Sequence, residues 1–440
     1  MNTALYWFRS DLRLTDNPNF LSACNASDGL LPIYLHAPHE SLIWGFERIG
    51  EHRQRFLDDA LRDLRHKLES LGSDLLELHP PQGSPSSAVD LIIHTAHHHG
   101  IKTIYCEVIQ APEEIEALTL LRQAGLTVHA KFESTMIAVN DLPFAPQAMP
   151  DQFTQFRNAI EKAKNLFTAP VLAPNEIPPL PVNFKRSELS ADTLSPRIRE
   201  SVPFKNSHPH SSFPYAEDAF RGGESAALAH LEQYLARSLP HSYKATRNQL
   251  HGLDYSSKFS PWLALGNISA RTIASRLKQF ESEQGANEGS YWLWFELLWR
   301  DYFRILHLKY GKRLYGAGGL NQSAKPIHNA RGFERWCAGT TGESIVDAGM
   351  RELKATGYLS NRLRQVVASY LIYDLHSDWR AGAAWFEAQL LDYDVYSNQG
   401  NWLYIAGRGT DPRGGRRFNP QKQAQDHDPA GLYRALWLSD

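Results

Sequence analysis

Two hydrophobic rhythms divide the chain. Up to about residue 132, short apolar or β-branched runs alternate with amphipathic stretches. The runs fall at residues 4–8, 31–35, 74–78, 103–108 and 127–132. Between them, residues 51–71 place Leu57, Leu61, Leu64 and Leu68 on one helical face. Another helix begins at Pro112, a favoured first helical position, and stops before Gly125. Strand–helix alternation predicts a parallel, Rossmann-like sheet of five strands with helices on both faces. From 132 to about 215, Pro and Ser are frequent and periodicity is weak. That predicts a long connection with one helix near 151–166. From Gly223 onward the period is helical, at 224–238, 269–282, 291–309, 342–356 and 361–377, with hardly a strand signal. The expected organisation is an α/β domain at 1–132, a connection at 133–215 and an all-α domain at 216–440.

Composition narrows the class. At 440 residues the chain is long enough for two or three domains. A net charge of −2 gives no global positive field, so any nucleic-acid face is a local patch. Cys24, Cys106 and Cys337 are odd in number and far apart, which argues against a disulfide framework and for a reducing compartment. The N-terminus resembles neither a signal nor a transit peptide, and no apolar run reaches membrane-spanning length. A cytoplasmic monomer is expected. Nine of the eleven Trp lie from Trp262 onward, so the second half differs chemically from the first. There is no GxGxxG after the first strand and no GxxxxGK[ST] anywhere, which removes the ordinary dinucleotide and P-loop sites.

Several segments of the second half carry chemistry. Ser256, Ser257, Lys258 and Ser260 precede a helix, where hydroxyls and backbone N–H groups can cradle a diphosphate. In WLWFELLWRDYF, Glu296 and Arg300 share a face with Trp292 and Trp299 close by. Asn361, Arg364 and Ala368 share another face, with Gln365 beside them. Residues 392–425 combine Asp392, Asp394, Asn398 and Trp402 with glycines and a run of Arg, a mixture suited to a planar polar ligand beside a polyanion. Alone, each segment also fits an ordinary role: a cap and turn, an i,i+4 ion pair, a capped helix start, a solvated acidic turn. His36/His39 and His208/His210 lack a third ligand motif, so no metal is expected.

Taken together and in order, these segments resemble the photolyase/cryptochrome family, most closely its DASH cryptochrome branch. The likeness runs through YWFRSDLRLTDNP, YKATRNQLHGLDYSSKFSPWLALGNIS, ELLWRDYFR, TGYLSNRLRQ, DLHSDWRAG and YSNQGNWLYIAGRGTDPRGGRRFNPQKQA. It implies an α/β domain, a long linker and a helical domain holding U-shaped FAD. Tyr243, Ser256, Ser257, Lys258 and Ser260 would hold its phosphates and ribityl chain. Arg364, Asp392 and Asp394 would surround the flavin, with Glu296, Arg300 and Asn361 at the same pocket and Asn398 facing N5. Trp402, Trp379 and Trp336 match the family tryptophans that pass electrons from the surface to excited FAD. Glu296 matches the carboxylate that hydrogen-bonds a flipped cyclobutane pyrimidine dimer, and Trp299 the indole that packs on it.

Two departures from duplex photolyases stand out. Gln365 follows Arg364 where those enzymes have Met, and Tyr404 replaces a second pocket Trp. Both fit the DASH pattern and imply repair mainly in single-stranded DNA, where no pairing opposes the flip. Arg408, Arg413, Arg416, Arg417 and Lys422 would form the DNA face. Glu107 resembles the acid that contacts a methenyltetrahydrofolate antenna. The alternative is a signalling blue-light photoreceptor. Such receptors commonly carry a long C-terminal tail, and this sequence ends at Asp440 soon after the last motif.

Overall fold

The computed structural model describes residues 2–38, 40–81, 88–163, 166–185 and 208–439. Part of the expected connection, 186–207, lies outside the described residues. Five strands, β1 (Thr3–Phe8), β2 (Gly29–Leu35), β3 (Leu76–Leu78), β4 (Thr103–Glu107) and β5 (Thr127–Lys131), form one sheet in the order β3-β2-β1-β4-β5. All pairings are parallel, with Thr3 opposite Gly29 and Ala4 opposite Thr103 on the two sides of β1. Central β1 is buried from Ala4 to Phe8. Its alternation feeds both faces. Ala4, Tyr6 and Phe8 pack with Leu57, Leu61, Leu64 and Leu68 of the helix Glu51–Ser70. Leu5 and Trp7 pack with Ile92 of the helix Ala88–His98 and Leu118 of the helix Pro112–Gln123.

β3 is shorter than the expected 74–78. Asp74 leaves the ladder because its carboxylate accepts from Arg65 at 3.1 Å and from the Leu75 N–H at 2.7 Å.

The second half is helical. Its longest helix, Glu288–Tyr310, starts with a capping box between Asn287 and Ser290. Side-chain caps also open the helices Asn361–Tyr373 (Ser360), Trp379–Gln389 (Asp378) and Val395–Ile405 (Asp394), among others. The helix at 361 stops four residues before the expected 377; His376 then takes φ of 51°, which a continuing helix cannot accommodate. The expected connection is no free tether. Met136, Ile137, Phe153, Phe156, Phe213 and Tyr215 belong to the core of the helical half. Asp301 accepts the Met136 and Ile137 N–H groups at 2.9 and 3.0 Å.

The halves are sealed together by buried charge. Arg271 meets Asp16 at 2.9 Å, and Glu224 accepts the Leu14 and Thr15 N–H groups at 3.0 and 2.9 Å. Gly266, at φ 70°, lies so close to the Ser10 carbonyl that a Cβ would come within 2.0 Å. Among the described residues, no helix is long and apolar enough to cross a membrane.

Candidate cofactor and substrate cavity

A cavity of about 460 Å³ opens in the helical half, with walls from five segments. Loop 255–260 supplies Ser256, Ser257, Lys258 and Ser260, and Tyr243 stands beside it. The helix Glu288–Tyr310 supplies Glu296, Trp299 and Arg300, four- and three-residue spacings that put all three on one side. The start of the helix Asn361–Tyr373 supplies Asn361, Arg364 and Gln365; the turn before Val395–Ile405 supplies Asp392 and Asp394. Segments far apart in sequence thus converge on one space.

Two charged groups at this cavity lack full partners. Lys258, at φ 58°, turns its side chain inward and is 2% exposed. Its Nζ lies 3.5 Å from the Tyr255 ring centre and 5.0 Å from that of Tyr358, with no hydrogen-bond acceptor. Burial pushes this ammonium well below its ordinary pKa, and Glu352 only partly opposes the shift. Asp392 Oδ2 accepts from Arg364 at 2.9 Å, but the buried Oδ1 accepts from nothing. Buried polar groups are normally satisfied. An uncompensated cation and a half-used carboxylate on one cavity fit a bound polar group carrying phosphate and ring or ribose donors. These residues therefore fit FAD.

Arg300 donates to the Ser134 carbonyl at 2.5 Å; burial and Arg304 push it down to about 9. Asp394 is already engaged. Arg304 grips it at 3.0 and 3.1 Å, and its side chain caps the next helix at the Ser397 N–H. Burial works against its charge, but Arg304 and Arg300 hold it below the usual carboxylate range. Asn398 faces an adjoining space of about 100 Å³ shared with Asp392, Asp394 and Trp402, and donates to the Ala383 carbonyl at 3.0 Å.

At the other end, Glu296 pairs with Arg247 at 2.6 Å. Burial raises its carboxyl pKa, with Arg247 opposing. Trp299 stacks on Phe153, ring centres 3.6 Å apart, and stands edge-on to Tyr404 at 6.4 Å. Gln365 accepts from Arg362 at 3.1 Å. Sequence reasoning missed Arg247, Phe153 and Arg304. Arg247 had a local signal, one helical turn beyond Tyr243; Phe153 had none, because its partner is remote in sequence.

Trp336, Trp379 and Trp402 are all buried, at 0, 2 and 2% exposure. Trp336 and Trp402 lie 6.5 Å apart, whereas Trp379 donates to the Ala317 carbonyl at 3.3 Å. Gly382 makes this packing possible, since a Cβ there would sit 2.2 Å from the Trp402 ring.

The basic run is not a row of free cations. Arg413 and Arg416 meet Asp411 at 3.0 and 3.4 Å, Arg417 meets Asp374 at 2.8 Å, and Lys422 meets Asp426 at 3.0 Å. Arg408 braces loop 317–324 through the Ala317 and Ala324 carbonyls. Glu107 is enclosed at the seam between the halves and is 3% exposed. Burial, reinforced by Asp11, pushes it up to about 7. The strand ends also gather His36, Glu77 and His79. Glu77 there is already shared between His36 at 2.8 Å and Arg65 at 2.7 Å.

Comparison with known proteins gives this geometry a lineage. Residues 4–179 match the family model described as DNA photolyase, and residues 292–440 the FAD binding domain of DNA photolyase. A cryptochrome DASH of Gloeobacter violaceus is 42% identical over 100% of this chain and 86% of its own length. One from Xenopus laevis is 40% identical, over 98% and 82%. Among solved structures, a Synechocystis sp. PCC6803 cryptochrome superposes with a TM-score of 0.88 at 40% identity, covering 99% of this chain and 88% of the other. A class III photolyase from Agrobacterium tumefaciens reaches 0.78 at 26% identity, covering 100% and 87%. The chain belongs to the photolyase/cryptochrome family, in its DASH cryptochrome branch.

Proposed function

We propose that the chain is a blue-light-driven, FAD-dependent lyase that splits cyclobutane pyrimidine dimers in single-stranded DNA. The observation that carries this reading is the shared cavity. Glu296, Trp299, Asn361 and Tyr404 line the same space as the Ser256–Ser260 loop, Arg364 and Asp392. A lesion and a flavin held there are neighbours without an intervening wall.

In this reading Lys258 and the serines hold the diphosphate, while Asp392 Oδ1 and Arg364 address the ring or ribose polar atoms. FAD, when bound in its fully reduced form, supplies on excitation the electron that opens the cyclobutane ring, and it receives that electron back afterwards. Asn398 is neutral and near the same end, which favours an anionic flavin over placing an acid there. Glu296 fixes the dimer by hydrogen bonding, and Arg247 fixes Glu296. Trp299, held flat by Phe153, supplies an apolar face for the flipped bases. Tyr404 and Gln365 make the pocket more polar than two indoles and a Met would. Less stacking energy is then available to pull a paired lesion from a duplex, whereas base–aromatic stacking of about 1–3 kcal/mol per base suffices for an unpaired one.

The test is light-dependent repair of dimer-containing oligonucleotides, single-stranded and duplex, with Glu296→Ala as control. Repair of the single strand alone is expected. Equal repair of both would remove the strand preference, and repair of neither would leave a signalling photoreceptor. A methenyltetrahydrofolate antenna at Glu107 belongs to the same proposal. It requires the seam around Glu107 to open, and an antenna absorbance that survives Glu107→Gln would reject that residue.

A further inference from the structure

We infer that Trp44, in the α/β half, is the solvent-facing end of the aromatic route serving the cavity; this rests on the reading of the cavity as an FAD site. The three indoles expected to carry electrons are all buried, so a donor in solution meets none of them directly. Trp402 borders the space next to the cavity. From it, ring-to-ring steps lead to Trp336 at 6.5 Å, Phe333 at 6.0 Å, His328 at 5.5 Å and Trp44 at 5.0 Å. Ser377, two residues before Trp379, has its hydroxyl 3.1 Å from His328 Nδ1, which helps to fix the His328 ring on this path.

Trp44 is half-buried. Its neighbour Ile43 is 92% exposed, and Ile327, next to His328, is 82% exposed. The indole therefore stands at a surface where the two halves meet. A small hairpin holds it there. Ser41 pairs with Glu47 antiparallel, and the Leu42 N–H donates to the Phe46 carbonyl at 2.8 Å. Phe46 anchors the hairpin on Phe333 at 6.3 Å and Trp385 at 5.0 Å. Phenylalanine and imidazole rings are harder to oxidise than indole, so Phe333 and His328 can bridge but are not where the hole comes to rest. Beyond Trp336, the next easily oxidised ring on this path is Trp44.

The electron count closes. One electron leaves Trp402 for light-excited oxidised FAD, the hole passes through Trp336, and it comes to rest on Trp44. The Trp44 radical cation releases its indole N–H proton to water. A thiol in the medium returns one electron and one proton, and two thiyl radicals couple to a disulfide. Two such rounds reduce the flavin fully.

The test uses the full FAD-loaded chain under blue light with a thiol donor, timing the loss of oxidised-flavin absorbance. Trp44→Phe should slow this by about tenfold, equivalent to roughly 1.4 kcal/mol in barrier, with FAD content and melting temperature unchanged. Trp44→Tyr should recover part of the rate. Trp402→Phe is the reference. If it blocks reduction while Trp44→Phe does not, the Trp44 assignment is overturned. If neither slows reduction, the flavin reading of the cavity and its Trp route has failed instead. Time-resolved absorption reads the radical itself: the long-lived tryptophanyl signal should vanish in Trp44→Phe. Its survival there, or its loss in Trp385→Phe, would place the exit elsewhere.

Discussion

Phe153 lies flat on Trp299, ring centres 3.6 Å apart and planes 11° from parallel. The contact ties the segment between the halves to the helical wall of the cavity. It also fixes the indole that would face the lesion. Phe153→Ala should cost about 3 kcal/mol in stability through reduced burial and a cavity, of which about 0.5–1.5 kcal/mol is the stack itself. Repair should fall while FAD content holds. A parallel loss of FAD would make Phe153 a general packing residue instead.

Arg364 and Asp392 make the most exacting test of the cofactor assignment. Removing one member of a buried pair leaves the other uncompensated, at a cost of about 3–5 kcal/mol. Arg364 keeps 24% of its side chain exposed, which moves the expectation to the lower end. Asp392→Asn retains a carbonyl oxygen but not the charge. The variant should purify with little FAD, and titration of the apoprotein should give a weaker Kd. Unchanged FAD content would remove Asp392 from the binding set.

Glu296 should act as a hydrogen-bond donor to a pyrimidine carbonyl. Burial raises its pKa above the ordinary carboxyl value, which keeps more of the protonated form as pH rises. Arg247 at 2.6 Å opposes this and keeps the group in place. Repair by the wild type should therefore decline as pH climbs through the folded pKa of Glu296. Glu296→Gln, which donates at every pH, should repair better than Glu296→Ala and show a flatter profile. Equal loss in both variants would mean the charge matters, not the donor.

Much of the fold was legible because its signals are local. The apolar runs located all five strands, and the helical period located the helix that carries Asn361 and Arg364. β3 shrank because Asp74 found Arg65 across the chain, which periodicity cannot register. The site was legible in identity but not in connection. Sequence could place Asp394 near a ligand, but its partner Arg304 lies on another helix. The depth of Trp336 follows from tertiary packing alone, and so does the pairing of Arg413, Arg416 and Arg417 with acids.

That pairing makes the DNA face testable by salt. Arg413 and Arg417 are 63% and 66% exposed and can swing from their acids to phosphates. Arg413→Glu with Arg417→Glu should weaken single-strand binding and shallow the log Kd against log salt slope by about 0.7 for each phosphate no longer neutralised. Arg408→Ala should instead loosen loop 317–324 and lower the melting temperature. An unchanged salt slope in the double variant would remove this loop from the DNA interface.

His307 sets an acid limit on the flavin-side scaffold. It lies in the helix Glu288–Tyr310, with Nδ1 2.7 Å from the Phe303 carbonyl and a buried Nε2 without a partner. Burial pushes its pKa down to about 4, although the Phe303 carbonyl and Asp394 pull upward. Protonation would add a cation beside Arg304, which already holds Asp394. Because the folded pKa lies below the unfolded one, the unfolded chain takes the proton first. Stability from this residue is complete above pH 6.5 and is lost as pH falls toward 4. The full loss is about 3 kcal/mol. His307→Gln should flatten the melting temperature across that interval relative to wild type. Parallel acid profiles for the two proteins would assign the acid sensitivity to the carboxylates instead.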